Sequence, residues 1–119
     1  MIQSFKKTFY AGKNALSGLF YGLFHERAVR QETVLFMVLG TASFFIAQGP
    51  LDYVLLLTPL FLVLIAEFLN TAIEKTLDLI SNHYHPLIKR AKDMASAAVF
   101  LSLLLLCFLW AVVITKNFF

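Results

Sequence analysis

The sequence predicts an all-α integral membrane protein: three transmembrane helices preceded by an amphipathic N-terminal surface helix, in one domain over residues 1–119. Three observations predict it. The composition is 60% hydrophobic and only 14% charged, with a mean hydropathy of +0.78, which is too apolar for an ordinary soluble domain. Uncharged stretches of membrane length recur along the chain, the clearest running from Met94 to Ile114. Basic residues are distributed unevenly between the connections that separate these stretches.

The first element is a surface helix over about residues 4–24. Phe5, Phe9, Leu16, Leu19, Phe20 and Leu23 recur at intervals of three, four and seven, while Lys6, Lys7, Lys13 and Asn14 lie largely off that stripe. Such a helix places phenylalanines among acyl chains and lysines toward lipid phosphates. A short helix packed on the rest of the protein is the competing reading.

A charged cluster, His25 to Glu32, leads into the first span, expected over about 28–48. Gly49-Pro50 ends that span, and the second helix is expected over about 52–80, with Pro59 inside it as a site for a local kink. A helix of that length exceeds the bilayer core, so its last turns, beyond about Glu67, project into interface and water. Residues 81–90 form a polar connection in which Pro86 reads as a stop, and the third span follows over about 92–115. Its opening Ala95-Ser96-Ala97-Ala98 is small enough for close helix contact.

Lys6, Lys7, Lys13, Arg27 and Arg30 precede the first span, and Lys89, Arg90 and Lys92 stand between the second and third, whereas the 49–52 turn has no lysine or arginine. The positive-inside rule therefore predicts a cytoplasmic N-terminus and 81–92 connection, with the C-terminus outside; Lys116 dissents. Apolar segments so numerous and so far inside the chain are not those of a cleaved signal peptide. Cys107 is the single cysteine, within an apolar run, and has no intramolecular partner for a disulfide. There are no CxxC or HExxH clusters, no internal repeat and no low-complexity tract.

The chemistry concentrates where the second helix leaves its apolar run. Glu67, Asn70, Glu74 and Asp78 fall at i, i+3, i+7 and i+11, on one stripe of one helix. Like charges one turn apart repel, more strongly where water is scarce, so a cation belongs among them: a metal ion, a basic side chain, or both. A solvated helix end is the alternative, and Glu67 argues against it by abutting apolar residues directly.

In the predicted topology Glu26, Glu32, Lys92 and Asp93 collect at the same boundary. Carboxylates beside a lysine can bind a hard cation and a phosphate together, since Mg²⁺ commonly takes one or two carboxylates plus phosphate oxygens. Glu74 with Glu26 could supply those oxygens, Lys92 could offset charge on a transferring phosphoryl group, and Glu67 could take a proton from a hydroxyl. A proton or cation pathway would also use intramembrane carboxylates. No Walker-type phosphate loop, kinase glycine loop or His-Arg-Asp motif occurs.

The segment from Glu67 to Glu74, then Asp78, then Arg90 to Val99, closely resembles the bacterial diacylglycerol kinase family. That family's signature reads Glu-x-Leu-Asn-[Ser/Thr]-Ala-Ile-Glu, followed by Ala-Lys-Asp-x-[Ala/Gly]-Ser-Ala-Ala-Val. Glu26 and the Arg30-Gln31-Glu32 run resemble the start of the family's first membrane helix. The resemblance covers essentially the whole chain. It implies a homotrimer with active sites shared between protomers in the bacterial inner membrane, transferring the ATP γ-phosphoryl group to diacylglycerol with Mg²⁺. No nucleic-acid partner is expected.

By position, the resemblance implies Glu67 as general base and Asn70 as an orienting group. Glu26 and Glu74 would be Mg²⁺ ligands. Lys92, Asp93, His83, Tyr84 and His85 would lie at the nucleotide, with Asn14 a weaker match there. Lys7, where the family usually has arginine, would lie both at the nucleotide and, with Arg30, Gln31, Glu32, Glu67 and Ser96, toward the lipid. Lysine pairs with phosphate but lacks arginine's planar fork.

Plainer roles stand beside these. Glu26 and Arg30 could form a surface pair, Asp78 could neutralise Lys75, Ser96 could be a packing residue, and His83 and His85 could sit in a solvated turn. Trp110, Phe118 and Phe119 read as interface anchors. Related family members phosphorylate undecaprenol instead, but Glu-Arg-Ala-Val-Arg-Gln-Glu at 26–32 looks more like the diacylglycerol branch than the Asn-x-Arg-x-His type. A small proton or cation conductor using Glu67 is the reading from a different class.

Overall fold

The computed structural model describes residues 1–119 as four helices: α1 (Ile2–His25), α2 (Arg27–Ile46), α3 (Pro50–Ile80) and α4 (Pro86–Phe118). α2, α3 and α4 are long and apolar enough to cross a membrane. At about 1.5 Å per residue α3 and α4 are each well over 40 Å long, beyond a hydrocarbon core of about 30 Å, whereas α2 matches that core. The excess length of α3 and α4 carries the charged residues.

Sequence punctuation accounts for the joints. Glu26 is a single extended residue between α1 and α2. Gly49 precedes Pro50 at the first position of α3, where a missing N–H costs nothing. α3 continues through Pro59, which removes one backbone donor without ending the helix.

Pro86, expected as a stop, instead begins α4. It occupies the first helical turn, and the His85 ring Nδ1 accepts the Leu87 N–H at 3.1 Å as the cap. The polar connection therefore shrinks to residues 81–85, and α4 extends more than a turn earlier than its apolar run.

α3 lies centrally, packed against both α2 and α4, while α2 and α4 scarcely touch. Leu56, Leu60 and Val63 of α3 meet Leu106, Trp110 and Val113 of α4, with Leu35, Phe36 and Leu39 of α2 closing over them. Trp110 Nε1 donates to the Leu56 carbonyl at 3.0 Å, and Phe36 packs edge-on to Phe61. Only 13 of 119 residues are buried and most large apolar side chains face outward, so the outer faces of these helices suit lipid or other apolar helices rather than water. α1 touches the bundle chiefly at its last turns, where Gly22 is its one buried residue. A Cβ there would come within 2.5 Å of the Phe68 ring, so the close approach of α1 to α3 requires glycine.

The end distant from the charged stripe carries a network the sequence did not announce. Asp52, 2% exposed, accepts from Lys116 Nζ at 2.7 Å, Asn117 Nδ2 at 2.9 Å and the Gln48 N–H at 3.0 Å. Asn117 also donates to the Ile46 carbonyl at 2.8 Å, which ties the last turn of α4 to the α2–α3 turn. Lys116, the dissenter in the charge pattern, is thus neutralised locally.

Candidate active site

Helical periodicity puts Glu67, Asn70, Glu74 and Asp78 on one side of α3, and the fold surrounds that side differently at each level. Glu67 is lowest in the apolar zone and 5% exposed. Its Oε1 accepts the Thr71 hydroxyl at 3.3 Å, and no cation pairs with it. Glu32 of α2 lies near enough for the two carboxylates to repel. Glu32 Oε2 and Asn70 Oδ1 are buried acceptors without a donor. One turn on, Asn70 Nδ2 donates to Glu74 Oε1 at 3.3 Å, orienting a half-buried carboxylate at the boundary.

At the exposed end, Lys92 of α4 donates to Asp78 Oδ1 at 2.8 Å. Asp78 therefore neutralises Lys92, not Lys75, because the early start of α4 brings its first turns alongside the end of α3. Asp93 lies on another face of α4 and pairs with Lys89 at 2.6 Å. Asp78, His83, Tyr84, His85, Lys89 and Lys92 line a polar cavity of about 250 Å³ where α3 turns into α4. The two histidines thus belong to a lined concavity rather than to a featureless turn.

Deeper along the same helix pair, Leu62, Ile65, Leu69, Ile73, Met94 and Ala98 line an apolar groove of about 530 Å³, with Asn70 and Ser102 among its few polar members. Ser96 is exposed and lies outside that groove, one turn beyond Lys92.

Other expected members stand apart. Lys7 and Asn14 are exposed on α1 and form no hydrogen bond or ion pair. Arg30 and Gln31 border a shallow depression on α2 with Arg27. Glu26 does not pair with Arg30: Arg30 donates to the Leu23 and Phe24 carbonyls at the end of α1, and Glu26 pairs with Lys75. No periodicity signals that last pair, since it joins residues far apart in sequence.

Three or more His, Cys, Asp or Glu side chains do not cluster as a metal cage anywhere in the structure. Glu74 and Glu26 each carry the carboxylate oxygens that Mg²⁺ takes when phosphates supply the rest, with Glu74 held by Asn70 and Glu26 by Lys75.

Fold and site together define a polytopic helical membrane protein with a buried carboxylate, an apolar groove and a lysine-bearing polar cavity at one end of its central helix pair. The model of the prokaryotic diacylglycerol kinase family matches residues 13–114, and the chain belongs to that family, a family of lipid kinases. It is 33% identical to the diacylglycerol kinase of Escherichia coli K12 over 114 residues, covering 96% of this chain and 93% of that protein. Its identity to the diacylglycerol kinase of Pseudomonas aeruginosa is 37% over 109 residues, 92% of this chain and 89% of the relative. For that of Helicobacter pylori it is 35% over 108 residues, 91% and 84%.

Proposed function

We propose that this protein transfers the γ-phosphoryl group of ATP to the free hydroxyl of diacylglycerol, giving phosphatidate and ADP. The observation that carries the reading is the succession, along α3 and α4, of an apolar groove and then a polar cavity where α3 turns into α4. A lipid alcohol arrives laterally within the bilayer and ATP arrives from solution, so both can be met only at that boundary. Family membership and the names of the relatives support the substrate pair.

Residue roles follow from depth. Glu67, buried and without a cation, takes the proton from the lipid hydroxyl as that oxygen forms its bond to the γ-phosphorus and the bond to the ADP oxygen breaks. Asn70 holds Glu74 and leaves its own Oδ1 to accept from an incoming hydroxyl. Lys92, released from Asp78, offsets charge on the phosphoryl oxygens, and His83, Tyr84 and His85 border the nucleotide. Asp93, outside that cavity and paired with Lys89, would reach the nucleotide only on release from that lysine. Glu74 and Glu26 would hold Mg²⁺, which when bound supplies charge neutralisation across the phosphates. The family resemblance assigns Arg30, Gln31, Glu32 and Ser96 to the lipid and Lys7 and Asn14 to the shared site, although within one protomer Ser96 lies outside the groove and Lys7 and Asn14 stand apart on α1.

The active unit is a homotrimer with sites shared between protomers, the N-terminus and site lying on the cytoplasmic side of the bacterial inner membrane. The outward apolar faces of a single protomer and the chain's family membership support that assembly.

The test supplies γ-labelled ATP and Mg²⁺ to the protein in mixed micelles, with diacylglycerol and undecaprenol offered in parallel. Label in phosphatidate is the expected result. A preference for undecaprenol would keep the chemistry and overturn the substrate, and no lipid labelling by folded protein would overturn the kinase reading in favour of a conductor. In the same assay Glu74→Gln is expected to raise the Mg²⁺ concentration needed for half-maximal rate severalfold, and an unchanged titration would remove Glu74 from the ligand set.

A further inference from the structure

Lys75 has no part in the roles above, yet it governs where one of the proposed ligands points. Glu26 is the single extended residue between α1 and α2, its N–H bonded to the Gly22 carbonyl and its carbonyl accepting the Arg30 N–H, so its backbone is fixed by both helices while side-chain neighbours decide the direction of its carboxylate. The neighbour that decides it is Lys75, whose Nζ lies 2.5 Å from Glu26 Oε1. The same ammonium sits 5.7 Å from the centre of the Tyr21 ring. Both residues line a cavity of about 200 Å³ between the end of α1, the start of α2 and α3, with Tyr21, Gly22, Phe68 and Thr71 among its other wall residues. The close approach of α1 at Gly22 against Phe68 keeps Tyr21 beside the lysine.

Lys75 follows Glu74 directly in sequence, about 100° round the helix, on the side that turns toward α1 rather than toward α4. The helix thus presents Lys75 to the α1–α2 joint, where the ammonium has captured the second carboxylate, while Glu74 is held by Asn70.

We propose that Lys75 is a positioning residue that holds Glu26 as a placeholder counter-charge and is displaced from it when a divalent cation binds. The inference rests on Glu26 being a ligand of that cation. A carboxylate held beside an ammonium is pre-aimed, which favours metal capture. A divalent ion arriving at the same oxygens repels the ammonium, so Lys75 leaves the carboxylate for water, which its half-exposed side chain can reach. Holding the ligand and opposing the ion are then two consequences of one contact. Exposed pairs of this kind are weak, so the opposition amounts to about a two- to five-fold reduction in cation affinity.

The experiment titrates Mn²⁺, a hard divalent probe, into the full-length protein in detergent micelles without nucleotide, and reads free Mn²⁺ by electron paramagnetic resonance. The variants are Lys75→Met, Lys75→Arg, Glu26→Gln and the Lys75→Met/Glu26→Gln double substitution, each checked for helix content, with Lys75→Gln replacing Lys75→Met if the latter fails to fold. Lys75→Met is expected to bind Mn²⁺ about two- to five-fold more tightly than wild type. Lys75→Arg restores wild-type affinity, Glu26→Gln weakens binding, and the double variant shows no gain over Glu26→Gln.

A lysine with a merely structural role would weaken binding when lost, so a weaker or unchanged Lys75→Met overturns the proposal while a weakened Glu26→Gln keeps the ligand assignment. Unchanged affinity in Glu26→Gln overturns the ligand assignment itself. Equal tightening with and without Glu26 would show a general field effect and also overturn the proposal, as would the absence of Mn²⁺ binding to Lys75→Met.

Discussion

Replacing Glu67 by glutamine separates catalysis from packing. The native carboxylate is 5% exposed, receives the Thr71 hydroxyl at 3.3 Å, faces Glu32 and has no paired cation. Glutamine has nearly the same shape, keeps an oxygen for Thr71 and adds an N–H for buried acceptors that have none, Glu32 Oε2 and Asn70 Oδ1 among them. The fold therefore gains: one new bond in a helix bundle of this type contributes about 0.5–1.5 kcal/mol. The reaction loses its proton acceptor, which costs about 10²–10⁴ in rate, or about 3–5.5 kcal/mol of barrier. Initial rates with labelled ATP and diacylglycerol, taken beside thermal unfolding in the same micelles, read both effects. Turnover within three-fold of wild type refutes the base assignment. A rate loss accompanied by a lower unfolding temperature refutes the reasoning in another way, by showing that Glu67 acts through packing.

Two further substitutions probe the distant end. Trp110→Phe removes the bond to the Leu56 carbonyl, about 0.6–1.7 kcal/mol between membrane helices. It also leaves a void of about 40 Å³, adding about 1 kcal/mol at about 24 cal/mol per Å³. Equilibrium unfolding is expected to show a loss of about 1.5–2.5 kcal/mol, and less than about 0.5 would mean that the indole N–H contributes nothing. Asp52→Asn breaks the Lys116 ion pair and weakens the tie from α4 to the α2–α3 turn, so the last turn of α4 is expected to exchange its amide hydrogens faster while kinase rate stays within two-fold. Unchanged exchange would show that Lys116 and Asn117 need no carboxylate to dock.

Much of the architecture was legible because it depends on local properties. The α3 and α4 spans follow from uninterrupted apolar length, the joint at Gly49-Pro50 from residues that suit a helix start, and the Glu67–Asp78 stripe from the helical repeat alone. Pro86 was ambiguous for an equally physical reason. A proline that cannot continue one helix is well suited to begin the next, and only the His85 cap and the continuation into α4 distinguish the two. The motif at 67–74 and 90–99 pointed to the family, and the match over residues 13–114 bears that out.

The partners of the charges were a different matter. Sequence placed Glu26 within a turn of Arg30 and Asp78 within a turn of Lys75, and those local pairings do not form. Glu26 goes to Lys75, Lys92 to Asp78, and Asp52 to Lys116 and Asn117. Each of these contacts joins different helices, so it depends on how far one helix slides and turns against another. Helix register is set by side-chain packing such as Gly22 on Phe68 and Trp110 on Leu56, between residues that the chain itself keeps far apart. The sequence by itself determined that there are membrane-length helices with an acidic stripe where one of them emerges. Tertiary packing decided which ammonium guards which carboxylate, because periodicity describes one helix at a time and a counter-ion belongs to two.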